Sequence, residues 1–169
     1  PKDQVESVCI DLSPSFISGV GNEFKNAKIV FDKFHVKQLL NKAMNELRIL
    51  EYKEHSILKG HKYTFLKNNA KLTQEQINER DQLIELLPKI GEGYRLKLLF
   101  DDFWEMTDEQ DAKGFLMYWT HLAEESKIQP MIRFSKTILA HWTGIVNYIN
   151  KRISNGIIEG INSKIQLAK

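Results

Sequence analysis

The alternation of apolar and polar residues changes its period near residue 34. Val5 to Ile10 is a short, apolar, β-branched run ending at Asp11, and Lys28 to Phe31 is a second, ending at Asp32. Runs of that length and composition predict strands. Between them Ser13 stands as an N-cap ahead of Pro14, a residue suited to the first helical position. Phe16, Ile17, Val20 and Phe24 then give a helical stripe, weakened by Gly19 and Gly21. Two strands joined by a helix of about a dozen residues predict a βαβ unit.

From His35 onward the period is that of helices. Val36, Leu39, Leu40, Ala43, Met44, Leu47 and Leu50 recur at i, i+3, i+4, i+7 spacing and predict an amphipathic helix to about Tyr52. Lys53 to Asn69 is lysine-rich and irregular, a loop with a short ordered piece around Tyr63 to Leu66. Thr73 with Gln76 opens a capping-box helix running to about Leu87, before Pro88. Further helices are expected over roughly Gly91 to Trp104, from Thr107 with Gln110 to about Ser126, and from Pro130 to about Arg152. Ser154 or Asn155 caps a last one carrying Ile157, Ile158, Ile161, Ile165 and Ala168 on one face. The expected organisation is an α/β piece at 1–34, an all-helical block at 35–152 and a helix at 153–169 that need not belong to the block.

Composition narrows the class. The 169 residues, 42% hydrophobic and 27% charged, suffice for one core or part of a larger one. No stretch approaches the ~18–20 apolar residues of a membrane span, and no signal-peptide pattern opens the chain. Pro1 stands first and the helical pattern still runs at Lys169, so both ends read as trimmed. The single cysteine, Cys9, excludes an internal disulfide framework and a multi-cysteine zinc site, which fits the cytoplasm. Flanked by Val8 and Ile10, it reads as a small buried hydrophobe. A net charge of +2 announces no polyanion, which would have to be met by local patches.

Few residues could carry chemistry. Asp11 and Asp32 follow strands, where α/β sheets place their ligands, but aspartate after a strand is also ordinary turn chemistry. Both readings are open for each. Glu159 lies among isoleucines, which suits a solvent-facing carboxylate. The neighbouring Gly160, which costs a helix ~1 kcal/mol relative to alanine, points instead to close packing by a backbone, a water or a phosphate. His35, three residues after Asp32, forms the one histidine pairing of interest; His55, His61, His121 and His141 read as surface or capping residues. Trp104, Trp119 and Trp142 sit on helical stripes and read as core.

Together these residues resemble a known family. VCIDLSPSFISGVGNEFKNAKIVFDKFHVKQLLNKA resembles the middle of ISL3-family transposases: a strand with a terminal Asp-Met/Leu-Ser, a helix, then Phe-Asp-Arg/Lys-Phe-His-Val. HWTGIVNYINKRISNGIIEGINSKIQLAK resembles the C-terminal motif of His-Trp, a short helix, Ser/Thr-Asn-Gly, then Glu-Gly-Ile-Asn and a basic tail. The resemblance runs in order along essentially the whole chain, and the middle matches as helical filler with short words such as LKG and LKN.

The resemblance implies an α/β fold: a partial ribonuclease-H-like core of two strands plus helices, interrupted by a large helical insertion. It implies DDE-type chemistry, in which three carboxylates hold two Mg²⁺ (or Mn²⁺) ions for phosphodiester cleavage and strand transfer at insertion-sequence ends. Asp11 would be the second carboxylate and Glu159 the third, both metal ligands, with Asp32 and His35 in support. The alternative makes Asp32 the second carboxylate; strand order favours Asp11. The first carboxylate is expected before residue 1, so residues 1–169 alone are expected to be inactive. Lys151, Arg152 and Lys164 are the basic side chains expected to meet phosphates. The expected partners are the element ends and target DNA, with a homo-oligomer as the active form, in the bacterial cytoplasm and without a membrane. The rivals are a non-catalytic helical DNA-binding or interaction module and a nuclease of the same fold.

Overall fold

The computed structural model describes residues 4–153. Expectations placed on 154–169, including those for Glu159 and Lys164, lie outside the described residues. The described chain forms two compact units, one built from 4–38, 106–113 and 140–153, the other from 39–105 and 114–139. Together they are mostly helical, with eight α-helices and one small parallel sheet among the described residues.

In the first unit, β1 (Ser7–Ile10) and β2 (Lys28–Phe31) pair in parallel, from Ser7 opposite Lys28 to Ile10 opposite Phe31. The β1 ladder starts two residues later than the apolar run. Helix α1 (Pro14–Glu23) joins the strands, with Pro14 in its first turn. Ser13 is extended but makes no side-chain cap; its hydroxyl shares a 2.8 Å hydrogen bond with that of Ser15. The expected stripe is only partly covered, with Val20 buried and Phe16 57% exposed.

Helix α2 (Lys33–Tyr52) begins two residues before His35 because Asp32 caps it. Its Oδ1 accepts from the Phe34 N–H at 2.9 Å and its carbonyl from the Val36 N–H at 3.1 Å. Leu40, Ala43, Met44 and Leu47 are buried as the spacing predicts, whereas Leu50 is exposed.

The second unit continues through short 3₁₀ turns at 56–58 and 69–71 and helix α3 (Lys62–Leu66). Helix α4 (Gln74–Leu86) opens with both reciprocal bonds of the Thr73–Gln76 capping box. Helix α5 (Pro88–Phe103) starts at the proline rather than at Gly91. A Cβ on Gly91 would lie 2.8 Å from the Ile84 carbonyl oxygen, so this glycine permits a close approach to α4 inside the helix. Helix α6 (Glu109–Glu125) is capped by Asp108, not Thr107: Asp108 Oδ1 accepts from Gln110 N at 2.8 Å and Asp111 N at 2.9 Å. Phe100, Trp119 and Phe134 meet edge to face, with centroids 5.0–5.4 Å apart, and the Trp119 indole donates to the Leu96 carbonyl at 2.9 Å. Trp104 and Trp119 are both core residues.

The helix expected from Pro130 to Arg152 is two helices, α7 (Gln129–Ala140) and α8 (Trp142–Lys151), broken at His141. No glycine or proline marks the break. Its cause is tertiary, because α8 is held on β2. A Cβ on Gly144 would lie 2.5 Å from the Phe31 ring, Asn147 Nδ2 donates to the Ile29 carbonyl at 2.8 Å, and the His141 ring meets Phe31 edge-on at 5.2 Å. No strand lies between β2 and Ile153 among the described residues, and no helix there is long and apolar enough to cross a membrane.

Candidate active site

The last strand couple is Ile10 with Phe31, and the Asp32 N–H donates to the Ile10 carbonyl at 2.9 Å. Asp11 and Asp32 therefore leave adjacent parallel strands at the same end and the same step. Backbones in such a ladder run ~4.8 Å apart, so two carboxylates are presented side by side at the strands' C-terminal edge.

Their surroundings differ. Asp11 is half-buried; its Oδ1 accepts from the Ser13 N–H at 2.8 Å, and Oδ2 has no partner among the described residues. One oxygen orients the carboxylate while the other remains available. Asp32 is fully buried, with Oδ1 engaged by Phe34 N–H and Oδ2 3.6 Å from His35 Nδ1. That separation is too long for a hydrogen bond but close enough for charge attraction when His35 is protonated. Asp11 thus keeps one oxygen without a partner among the described residues, whereas Asp32 is buried between Phe34 and His35. Among the described residues no three His, Cys, Asp or Glu side chains gather as a metal site.

The chain comes back beside β1 from the far side of the sequence, with α8 running from Phe31 at the carboxyl edge toward Glu6 at the opposite end of the strands. Lys151 Nζ reaches Glu6 Oε2 at 3.2 Å, and the Ile153 carbonyl lies 3.5 Å from Cys9 Sγ, two residues before Asp11. Arg152, with a left-handed φ of 49°, ends α8, donates to the Met106 carbonyl and lies over the Tyr148 ring. Asn150 Nδ2 donates to Glu109 Oε2 at 2.6 Å. Hydrogen bonds from Lys113 and Asn150 hold the Glu109 carboxyl below the ordinary carboxylate range. Lys151 and Arg152, expected from the sequence to meet phosphates, therefore have protein partners. Nothing in their local sequence signals Glu6 or Met106. Two other histidines also have carboxylate neighbours, His55 with Glu51 at 3.9 Å and His61 with Glu79 at 3.5 Å.

The structure is thus a mostly helical α/β protein with two aspartates at the carboxyl edge of a parallel strand pair. Comparison with known proteins gives the family. The profile of the ISL3-type DDE transposases, described as transposase, matches residues 1–169. The chain belongs to this family.

It is 23% identical over 175 residues to the transposase for insertion sequence element IS1001 of Bordetella parapertussis, covering 98% of the chain and 43% of that protein. It is 27% identical over 110 residues to the transposase for insertion sequence element IS1557 of Mycobacterium tuberculosis, covering 65% of the chain and 24% of that protein. A 105-residue stretch is 33% identical to a Treponema denticola protein described as a histidine–tRNA ligase, covering 62% of the chain and 21% of that protein. The chain spans less than half the length of each of these relatives. No solved structure matches it significantly.

Proposed function

We propose that residues 1–169 are part of the catalytic domain of a DNA transposase that cleaves DNA at insertion-sequence ends and joins it to a target. In this reading the βαβ unit belongs to a ribonuclease-H-like core, residues 35–152 are a helical insertion, and residues 153–169 carry the last carboxylate. The first carboxylate belongs to sequence preceding residue 1.

The observation that carries the proposal is the return of the chain to β1, the strand that leads into Asp11. Ile153 lies beside Cys9, two residues before Asp11 and six before Glu159. Six residues span at most ~20 Å, so Glu159 is within reach of Asp11 despite 147 intervening positions.

Asp11 has the hard oxygen donor that a Mg²⁺ or Mn²⁺ ion requires, and Glu159 would supply the second. When bound, a two-ion pair activates the attacking oxygen and stabilises the leaving one in an in-line displacement. The Ser13 N–H holds Oδ1 of the Asp11 carboxylate and leaves Oδ2 for the ion. Asp32 caps α2 and steadies His35 beside it, a positioning role.

Lys151, Arg152 and Lys164 would meet phosphates. The Lys151–Glu6 pair is exposed, and such pairs are worth about 0–1 kcal/mol, so exchanging it for a DNA phosphate costs little. The active assembly would be a homo-oligomer on DNA in the bacterial cytoplasm.

The test uses the full-length protein with DNA carrying the element ends and Mg²⁺ or Mn²⁺. Cuts at the ends, followed by joining to a second duplex, are expected. Cleavage without joining would favour a nuclease, and binding without cleavage a helical DNA-binding module.

A further inference from the structure

Residues 53–71 have no role in the proposed chemistry. They hold Lys53, Lys59, Lys62, Lys67 and Lys71 against one acid, Glu54, a formal charge of +4 in a chain of net +2. The other 150 residues therefore sum to −2, and the positive charge of the chain is concentrated here. All five lysines are exposed. Lys89 and Lys113 are held by Glu51 and Glu109, but none of the five pairs with a carboxylate among the described residues.

The backbone beneath them is anchored. Leu58 and Phe65 are fully buried. Arg48 Nη1 donates to the Leu58 carbonyl at 3.4 Å, and the buried Lys97 Nζ donates to the Phe65 carbonyl at 2.9 Å. Arg80, itself buried and bonded to Tyr94 at 3.1 Å, donates to the Asn69 side chain. Two buried cations thus satisfy the inner face of the segment while five cations remain on the outer one. Tyr63, 59% exposed, stands among them with Lys62 Nζ 5.4 Å from its ring centre. An ordered surface of unpaired lysines around an exposed aromatic suits a sugar–phosphate backbone: the charges displace counterions and the phenol offers a hydrogen-bonding edge.

We infer that residues 53–71 form a sequence-independent platform for the backbone of duplex DNA. The choice of duplex DNA as the polyanion rests on the transposase reading; the charge and its anchoring do not.

The test is binding of the full-length protein to a 30-base-pair duplex lacking the element ends, followed by fluorescence anisotropy between roughly 50 and 200 mM salt. The triple variant Lys59→Gln, Lys62→Gln, Lys67→Gln should bind more weakly, with a log–log salt slope smaller in magnitude by about two to three. A control removing the same charge elsewhere, Lys89→Gln, Lys113→Gln, Lys136→Gln, should keep the wild-type slope. Equal slopes for the platform variant and wild type, or equal losses in variant and control, would overturn the platform. End-specific cleavage by wild type would leave the transposase reading standing in that event. Platform-dependent binding to phosphatidylserine vesicles without duplex binding would overturn DNA as the partner. No duplex binding by wild type would overturn both readings.

Discussion

Asn147 and Ile29 are 118 positions apart and share a 2.8 Å hydrogen bond, the side-chain amide of one donating to the strand carbonyl of the other. This bond, with the Gly144–Phe31 contact, docks α8 on β2 and brings the chain back beside the strand that leads into Asp11. Replacing Asn147 with leucine would leave that carbonyl without its donor. A loss of about 1–3 kcal/mol is expected in urea unfolding. An unchanged midpoint would show that the bond does not hold the helix.

Gly144 gives a sharper test of the same docking. Alanine would ordinarily favour a helix by up to ~1 kcal/mol. Here its Cβ would lie 2.5 Å from two atoms of the buried Phe31 ring, and overpacking of this kind costs about 1–3 kcal/mol. Gly144→Ala should therefore destabilise, and Phe31→Leu in the same chain should cost less than it does alone. Additive losses in the double-mutant cycle would contradict the contact.

Glu109 makes stability depend on pH. Its carboxyl is held below the ordinary range by Lys113 and Asn150, so it ionises more readily folded than unfolded. Its stabilising contribution is fully present above the unfolded pKa, near 4.5, and is lost as pH falls through the lower folded value. Glu109→Gln should flatten the fall in the urea midpoint between neutral pH and about pH 3. A parallel fall in variant and wild type would remove Glu109 from the titration.

Asp32 allows capping to be separated from catalysis. Asparagine caps a helix as well as aspartate, whereas alanine costs ~1 kcal/mol. Asp32→Asn should keep stability close to wild type yet lower cleavage by about 10–100-fold, as loss of a supporting partner does. His35→Ala should fall in the same range. Wild-type cleavage by Asp32→Asn would reduce Asp32 to a cap.

What was legible in the sequence was local. β2, the Thr73–Gln76 capping box and the long α2 follow from spacing within a turn or two, whereas the ordered piece near Tyr63, a short helix, carries no such period. The break at His141 was invisible because its cause lies on β2, more than a hundred positions away. Thr107 and Asp108 are both good capping residues at adjacent positions, and only the backbone decides which side chain reaches Gln110 and Asp111. The two aspartates could be seen to end strands, but their contrast could not: Ser13 leaves one oxygen of Asp11 open, while Phe34 and His35 surround Asp32. Nothing near Lys151 in the sequence signals its pairing with Glu6, 145 positions away.

The most direct test of Asp11 as a metal ligand is a change of metal preference in the full-length enzyme cutting element-end DNA. A thiolate is a poor ligand for Mg²⁺ and a better one for the softer Mn²⁺. Asp11→Cys should lose cleavage with Mg²⁺ by more than the roughly 100-fold of a supporting residue and recover much of it with Mn²⁺, while duplex binding stays at the wild-type level. Asp11→Ala should be inactive with either ion. Cleavage by Asp11→Ala at the wild-type rate, or loss in Asp11→Cys that Mn²⁺ leaves untouched while Asp32→Cys is restored by it, would contradict the assignment of Asp11.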